Sequence, residues 1–246
     1  MIKILNKSKS IIFSVIAMVV FSFPNLLYAQ ETGQADKIGG VAYFILGGKI
    51  LNLSSLNTRL ESKGYPKISN NFISLGGGGH FAVKRFIIGG EGHGFFSKET
   101  ENIGYRASVG GGYGFFNIGY IVYRTEGLNV YPLLGLGGGA MTLELVEKAI
   151  SPSFDDLLSN PRGQANLSVG GFLINLAVGL DYFLALRRGE RGEGGLDFGL
   201  RLGYIFSPFM GSWRMSGAGV SGGPSVAPTG PFIRLTIGGG GFGEEK

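Results

Sequence analysis

Apolar and polar residues alternate with a period of two along much of this chain, the pattern of β-strands whose two faces meet different surroundings. The clearest segment runs from Leu196 to Phe206. Leu196, Phe198, Leu200, Leu202, Tyr204 and Phe206 fall on one face; Asp197, Gly199, Arg201 and Gly203 fall on the other, where only Ile205 is apolar. Phe172, Ile174, Leu176, Val178, Leu180 and Tyr182 likewise oppose Asn175, Ala177, Gly179 and Asp181. Ile73, Leu75, Phe81 and Val83 oppose Ser74, Gly76, Gly78 and His80. Phe86 and Ile88 oppose Glu91 and His93, and Ile233, Leu235 and Ile237 oppose Arg234 and Thr236. The pattern predicts eight strands, at 38–50, 71–83, 86–98, 104–116, 129–146, 165–185, 194–207 and 230–242. Each reaches the roughly 9–11 residues that cross a bilayer when tilted. Residues 118–123 either extend the fourth strand or form one of their own. Extension keeps the count even and both termini on one side; ten strands is the alternative.

Residue size decides what the two faces meet. Glycine supplies 46 of the 246 residues, and much of it lies inside these strands, where it marks bends or close approach. The polar face pairs charges with glycines instead of carrying the Lys, Thr, Glu and Gln of a solvated surface. A narrow closed barrel needs such small residues inside, and a membrane barrel turns its large apolar face to lipid. With Lys84-Arg85 as a two-residue turn, Val83 opposes Phe86, Gly78 faces Glu91, Gly76 faces His93 and His80 faces Gly89, so faces agree across the hairpin. Residues 84–85, 124–128 and 186–193 read as short turns; 51–70, 99–103, 147–164 and 208–229 read as mostly longer loops. Ser54 or Ser55 is positioned to cap a short helix carrying Leu56 and Leu60 and stopped by Gly64, and 153–158 reads as a second helical turn. Tyr105, Tyr113, Tyr120, Tyr123, Tyr131, Tyr182, Tyr204 and Phe206 are candidates for interfacial girdles.

The N-terminus reads as an export signal. Lys3, Lys7 and Lys9 precede an apolar run from Ile11 to Phe23, broken by Pro24, with Ala29 before a cleavage point. The expected domains are a signal peptide at 1–29 and a single barrel at 30–246; the competing reading of the first segment is an uncleaved inner-membrane anchor, for which the apolar run is short of the roughly 20 residues of a span. Removing 1–29 takes three Lys and no acid, and leaves 19 basic against 17 acidic side chains, a net +2. The basicity is then partly a targeting signal, and no aromatic-interleaved basic stripe suggests nucleic acid. Without cysteine, thiol nucleophiles, Cys-ligated zinc and iron–sulfur clusters are excluded. With His80 and His93 the only histidines, a multi-histidine metal site is not expected.

These alternating strands, the export signal and the alternation of short turns with long loops resemble the small outer-membrane β-barrel class, the eight-stranded type exemplified by outer-membrane proteins A and X. The resemblance covers about 37–242 and is one of pattern. It implies an all-β, closed, antiparallel up-and-down transmembrane barrel in the outer membrane of a double-membraned bacterium. Outer-membrane lipid and the assembly machinery are the implied partners. Such proteins commonly end on an aromatic residue; here Phe242 is followed by Gly-Glu-Glu-Lys.

The lumen-facing ionisable set is read as Glu91, His93, His80, Arg106, Glu144, Asp181, Asp197, Arg201 and Arg234. Eight strands leave an interior just filled by side chains, so these charges are expected to pair and plug it. The alternative is a narrow polar path or ligand pocket. Small barrels resembling lipid-modifying acyl hydrolases would need a Ser–His–acid set. His80 and His93, with Ser74, Ser97, Glu91 and Asp181, are the residues available, but both His fall on the lumen face. Gly135 to Ala140 matches a dinucleotide fingerprint without the βαβ unit that would support it, and Gly47-Gly48-Lys49 lacks phosphate-loop spacing. No catalytic, cofactor or metal site is therefore assigned. The expected role is structural, or surface interaction through the loops at 51–70, 147–164 and 208–229, with Phe209, Trp213 and Arg214 as contact candidates; packing on the barrel rim is the alternative for these three. A secreted or periplasmic soluble barrel binding a small apolar ligand is the competing class. It requires the large aliphatics inside and the glycine-and-charge face outside.

Overall fold

Eight long strands close into a ring. The computed structural model describes residues 37–148, 153–159, 164–189 and 192–244; the expected signal peptide lies outside them. In chain order the strands are β1 (Lys37–Ile50), β2 (Asn71–Val83), β3 (Phe86–Phe96), β4 (Thr100–Glu101), β5 (Tyr105–Tyr120), β6 (Tyr123–Thr125), β7 (Leu128–Glu147), β8 (Gln164–Gly189), β9 (Gly192–Met210), β10 (Trp213–Met215), β11 (Ala218–Val220) and β12 (Gly230–Glu244). Among the described residues two helices, α1 (Ser54–Ser62) and α2 (Phe154–Ser159), lie in the longer connections. Each long strand pairs antiparallel with its neighbours in the order β1–β2–β3–β5–β7–β8–β9–β12, and β12 pairs back onto β1. The short β4, β6, β10 and β11 pair beyond the ring at its ends. The shortest of the eight, β3, has 11 residues. Extended, it measures about 36 Å, which at a tilt near 40° rises about 28 Å, enough to span a hydrocarbon layer.

The hairpin register is the one the pattern predicts: Val83 pairs Phe86, Gly78 pairs Glu91, Gly76 pairs His93 and His80 pairs Gly89. Lys84 takes φ 58°, the sign that tight two-residue hairpins need at their first central position. Its carbonyl accepts a 2.8 Å hydrogen bond from Arg124 Nη2. The segment at 118–123 divides: β5 continues to Tyr120, and Tyr123 begins the short β6, which folds back on β7. Helix α1 forms where expected and buries Leu56, Asn57 and Leu60, but neither serine caps it. Leu53 is its N-cap residue, and Asn52 Oδ1 accepts from the Ser54 backbone N–H at 3.2 Å and its hydroxyl at 2.8 Å.

The large apolar side chains face outward. Phe44 is 78% exposed, Phe81 70% and Leu235 56%, whereas Arg201 and Arg234 are 2% and 1% exposed. This is the reverse of the soluble ligand-binding barrel. No helix among the described residues is long and apolar enough to cross a membrane; the crossing elements are strands.

Glycine has two distinct roles in the wall. On the inner face it makes room: a Cβ at Gly76 would come within 2.9 Å of His93 Nδ1, and one at Gly89 within 2.7 Å of the His80 Cβ. On the outer face Gly77, Gly92, Gly114 and Gly138 stand side by side in direct register across β2, β3, β5 and β7. A Cβ at Gly92 would meet nothing within 4 Å, and one at Gly138 only the Gly171 carbonyl at 3.5 Å. Inside, a Cβ at Gly137 would overlap the Gly114 carbonyl. Gly137→Ala is therefore expected to destabilise the barrel by about 2 kcal/mol, the scale of overpacking. Gly92→Ala should be neutral or stabilising by about 0.5 kcal/mol through reduced unfolded-state entropy. Urea unfolding of the two purified variants in detergent, read as the shift in midpoint, checks the contrast.

Candidate functional site

The pleat directs every second residue of each strand into the lumen, and the ring brings those residues together in layers. Glu91, on β3, sits at the centre. Its Oε2 accepts a 2.9 Å hydrogen bond from Arg201 Nη1, and its Oε1 a 2.7 Å hydrogen bond from Arg234 Nη1. Arg201 and Arg234 are cross-strand partners on β9 and β12, an arrangement that like charges disfavour. Glu91 reaches across the barrel and bridges them. Arg201 Nη1 also donates to the Tyr43 hydroxyl at 3.1 Å, and its guanidinium lies 4.5 Å from the centre of that ring. Arg234 stacks 3.7 Å from the Phe232 ring centre. Taking a charge out of water costs several kcal/mol unless it is paired and hydrogen-bonded, and these contacts supply the compensation.

The remaining inward groups surround this bridge. His93 Nε2 lies 3.3 Å from Glu91 Oε1, off hydrogen-bond alignment, and its ring stacks on Tyr113 at 4.8 Å. His80 tilts against Tyr43. Asp181 accepts a 2.6 Å hydrogen bond at Oδ2 from the Tyr131 hydroxyl. Asp197 faces inward and is 3% exposed.

Toward the long loops the interior turns apolar. Leu51, Leu53, Leu56, Leu60 and Ile68, from the β1–β2 connection, pack in one cluster with inward Phe72, Phe95, Ala107, Val109, Met141, Leu143 and Val169. Asn57 fixes this segment: its Nδ2 donates to the Ile68 carbonyl and its Oδ1 accepts from the Ile68 N–H, both at 2.9 Å. Lys49, 2% exposed, donates from Nζ to the Pro228 carbonyl at 2.8 Å and lies 4.2 Å from the Tyr113 ring centre. It ties the last long connection to the barrel interior.

Seven of the nine expected lumen residues therefore face inward: Glu91, His93, His80, Asp181, Asp197, Arg201 and Arg234. Arg106 and Glu144 do not. Arg106 is exposed and lies 3.8 Å from Glu99, and Glu144 accepts from Gln164 on the exposed surface at 2.6 Å. Both stand at loop-side strand ends, where the inward positions belong to Ala107, Val109, Met141 and Leu143 under the apolar plug. Polar-in, apolar-out holds only at the depth of lipid; above it the rule inverts. Trp213 is also corrected. It is 5% exposed, packed in the plug cluster, and donates from Nε1 to the Pro224 carbonyl at 2.7 Å. Phe209, at 74%, and Arg214 are exposed. Among the girdle candidates, Tyr113 and Tyr131 are 5% and 0% exposed and point into the lumen, where their hydroxyls have polar partners.

Lys49, Tyr43, Asn117, Tyr113 and Tyr131 are among the interior groups that sequence patterning missed. In β1 both faces are apolar around Tyr43, so alternation carries no contrast there. Counting by twos from Tyr43 would have placed Lys49 inside. Of the acyl-hydrolase candidates, Ser74 Oγ and Nδ1 of both His80 and His93 find no hydrogen-bond partner among the described residues, and Ser97 Oγ accepts from the Val109 N–H at 3.3 Å. Nor, among those residues, do three or more His, Cys, Asp or Glu gather as a metal site.

A closed up-and-down barrel with an apolar exterior and a side-chain-filled polar interior is the architecture of small outer-membrane β-barrel proteins. The chain is similar in fold to Ail, the attachment invasion locus protein of Yersinia pestis, at 11% identity over 85% of this chain and 98% of that one, with a TM-score of 0.36. It is similar also to Neisserial surface protein A, at 12% identity over 84% and 97% with a TM-score of 0.32. A major outer membrane protein from Thermus thermophilus aligns at 8% identity over 82% and 98%, with a TM-score of 0.38. No family model matches the chain, and no curated protein matches it in sequence.

Removing one partner from the central bridge leaves buried charge uncompensated. Glu91→Ala, which strands Arg201 and Arg234, is expected to cost about 3–5 kcal/mol. The measurement is the urea midpoint of the refolded barrel, followed by its heat-modifiable migration on gels.

Proposed function

We propose that this chain is an outer-membrane β-barrel whose lumen is closed to solutes and whose work is done at its loop-side surface or through its presence in the envelope. The observation that carries this reading is the filled interior: Glu91 spans the lumen to Arg201 and Arg234 at mid-height, and the Leu51–Ile68 segment packs as an apolar plug toward the long loops. A conducting pore needs a continuous wet path, and both layers oppose one. Lipid is the partner of the outward belt of Phe44, Phe81, Leu235 and their neighbours, and the assembly machinery is the partner during insertion. Beyond the lumen, Ile103, Phe154, Leu158 and Phe209 are exposed apolar groups in or beside the long connections. Exposed apolar and aromatic groups beside Arg214 are suitable anchors for a surface partner. A non-enzymatic role is favoured because both histidines face the lumen, away from lipid and from the barrel mouth.

Reconstituted into planar bilayers, the protein is expected to show no large, steady channels. Such channels would overturn the closed-lumen reading. On cell fractionation it is expected to sediment with the outer membrane and to require detergent for extraction; recovery in the soluble periplasm would overturn the location.

A further inference from the structure

Beyond the closed lumen lies a second arrangement of buried oxygens, on the turn side of the Glu91 bridge. Asp181, Gly199 and Thr236 are direct register partners across β8, β9 and β12. A Cβ at Gly199 would overlap both Asp181 Oδ1 and Thr236 Oγ1, so the two oxygens lean over the glycine from either side. Asp197 lies two residues along β9 on the same inner face. The three side chains belong to residues only 3%, 3% and 4% exposed, and Asp181 Oδ1, Asp197 Oδ2 and Thr236 Oγ1 find no hydrogen-bond partner among the described residues.

As they stand, these groups leave one another unsatisfied. Tyr131 donates to the other Asp181 oxygen, and the one hydroxyl proton of Thr236 can serve at most one of the two carboxylates. Arg201 is the nearby cation; its Nη1 is committed to Glu91 and Tyr43, and its buried Nε makes no hydrogen bond to these oxygens. Arg234, two residues from Thr236 on β12, is committed through Nη1 to Glu91, and Lys49 is distant. Asp197 pairs with Gly238, which pairs with Tyr43, and Lys49 lies six residues farther along β1, about 20 Å at the strand rise. Two carboxylates are thus concentrated at one end of the interior.

We infer that Asp181, Asp197 and Thr236 form a binding site for a hard divalent cation of the calcium type. Carboxylate and hydroxyl oxygens without nitrogen or sulfur are the donors such ions take. Two carboxylates balance the ion's charge, and the missing Cβ of Gly199 leaves room beside two of the three oxygens. Solvent carried in with the ion completes its shell.

The test uses the full mature chain refolded in detergent without calcium and titrated with terbium, a luminescent stand-in for calcium. Emission excited through tyrosine is expected, because the Tyr131 hydroxyl touches Asp181, and added calcium should displace it. Asp197→Asn should weaken terbium binding by about tenfold or more, and Thr236→Val should weaken it less, as loss of a neutral ligand. Glu144→Gln, on the outer surface, should leave it unchanged. Heat-modifiable migration confirms that each variant is folded; should Asp197→Asn not fold, Thr236→Val decides. Absence of sensitised emission from the wild type, or emission unaltered in the folded variants of Asp197 and Thr236, would overturn the site.

Discussion

Space inside an eight-stranded ring is the constraint on which this structure depends. The interior is just wide enough for side chains to fill, so a large inward group on one strand demands a small one beside it. Glu91 reaches across to two arginines because Gly78, its register partner, yields its volume. His80 has Gly89 beside it, and His93 has Gly76. Were either member of such a pair enlarged, the wall would have to move, and moving one strand shifts the hydrogen-bond ladder on both sides. Packing and ring closure are therefore one problem, solved at the same positions.

The electrostatics follow from that geometry. A narrow lumen holds its charges out of water, and Glu91, Arg201, Arg234 and Lys49 each have a partner within reach. Glu91 serves two guanidiniums that would otherwise repel each other across β9 and β12. Tyr43, Tyr113 and Tyr131 complete the arrangement because a phenol both fills volume and offers a hydroxyl. Toward the long loops the solution changes: aliphatic side chains from the β1–β2 connection fill the barrel, and the charged groups at that height move to the outside, where water is available.

This vertical change explains how much was legible in the sequence. Alternation read the strands well wherever one face met lipid and the other the polar lumen, as in β2, β3, β8, β9 and β12, and it placed the hairpin register residue by residue. It misassigned Arg106 and Glu144 because period-two patterning records which face is polar without recording depth. Trp213 was misread for a related reason: it stands just ahead of the Gly-, Ser- and Pro-rich stretch at 216–229, the composition of an exposed loop, while its burial comes from the distant plug. Lys49 was overlooked because β1 is apolar on both faces, Tyr43 and Ile45 inside against Phe44 and Leu46 outside.

The outward glycines have a consequence for the membrane around the barrel. Across β2, β3, β5 and β7 the row from Gly77 to Gly138 carries no side chains, while β9 and β12 carry Phe198, Leu202, Ile233 and Leu235. At the height of that row the wall is bare on one side and clad on the other, while Leu75 and Phe81 on β2, Ile88 on β3 and Phe116 on β5 clothe the same strands nearer their ends. Acyl chains crossing the bare patch meet fully paired backbone there and side chains on either side of it. The annular lipid thus meets a shallow notch on one side of the barrel, which gives it a fixed front and back in the plane of the bilayer.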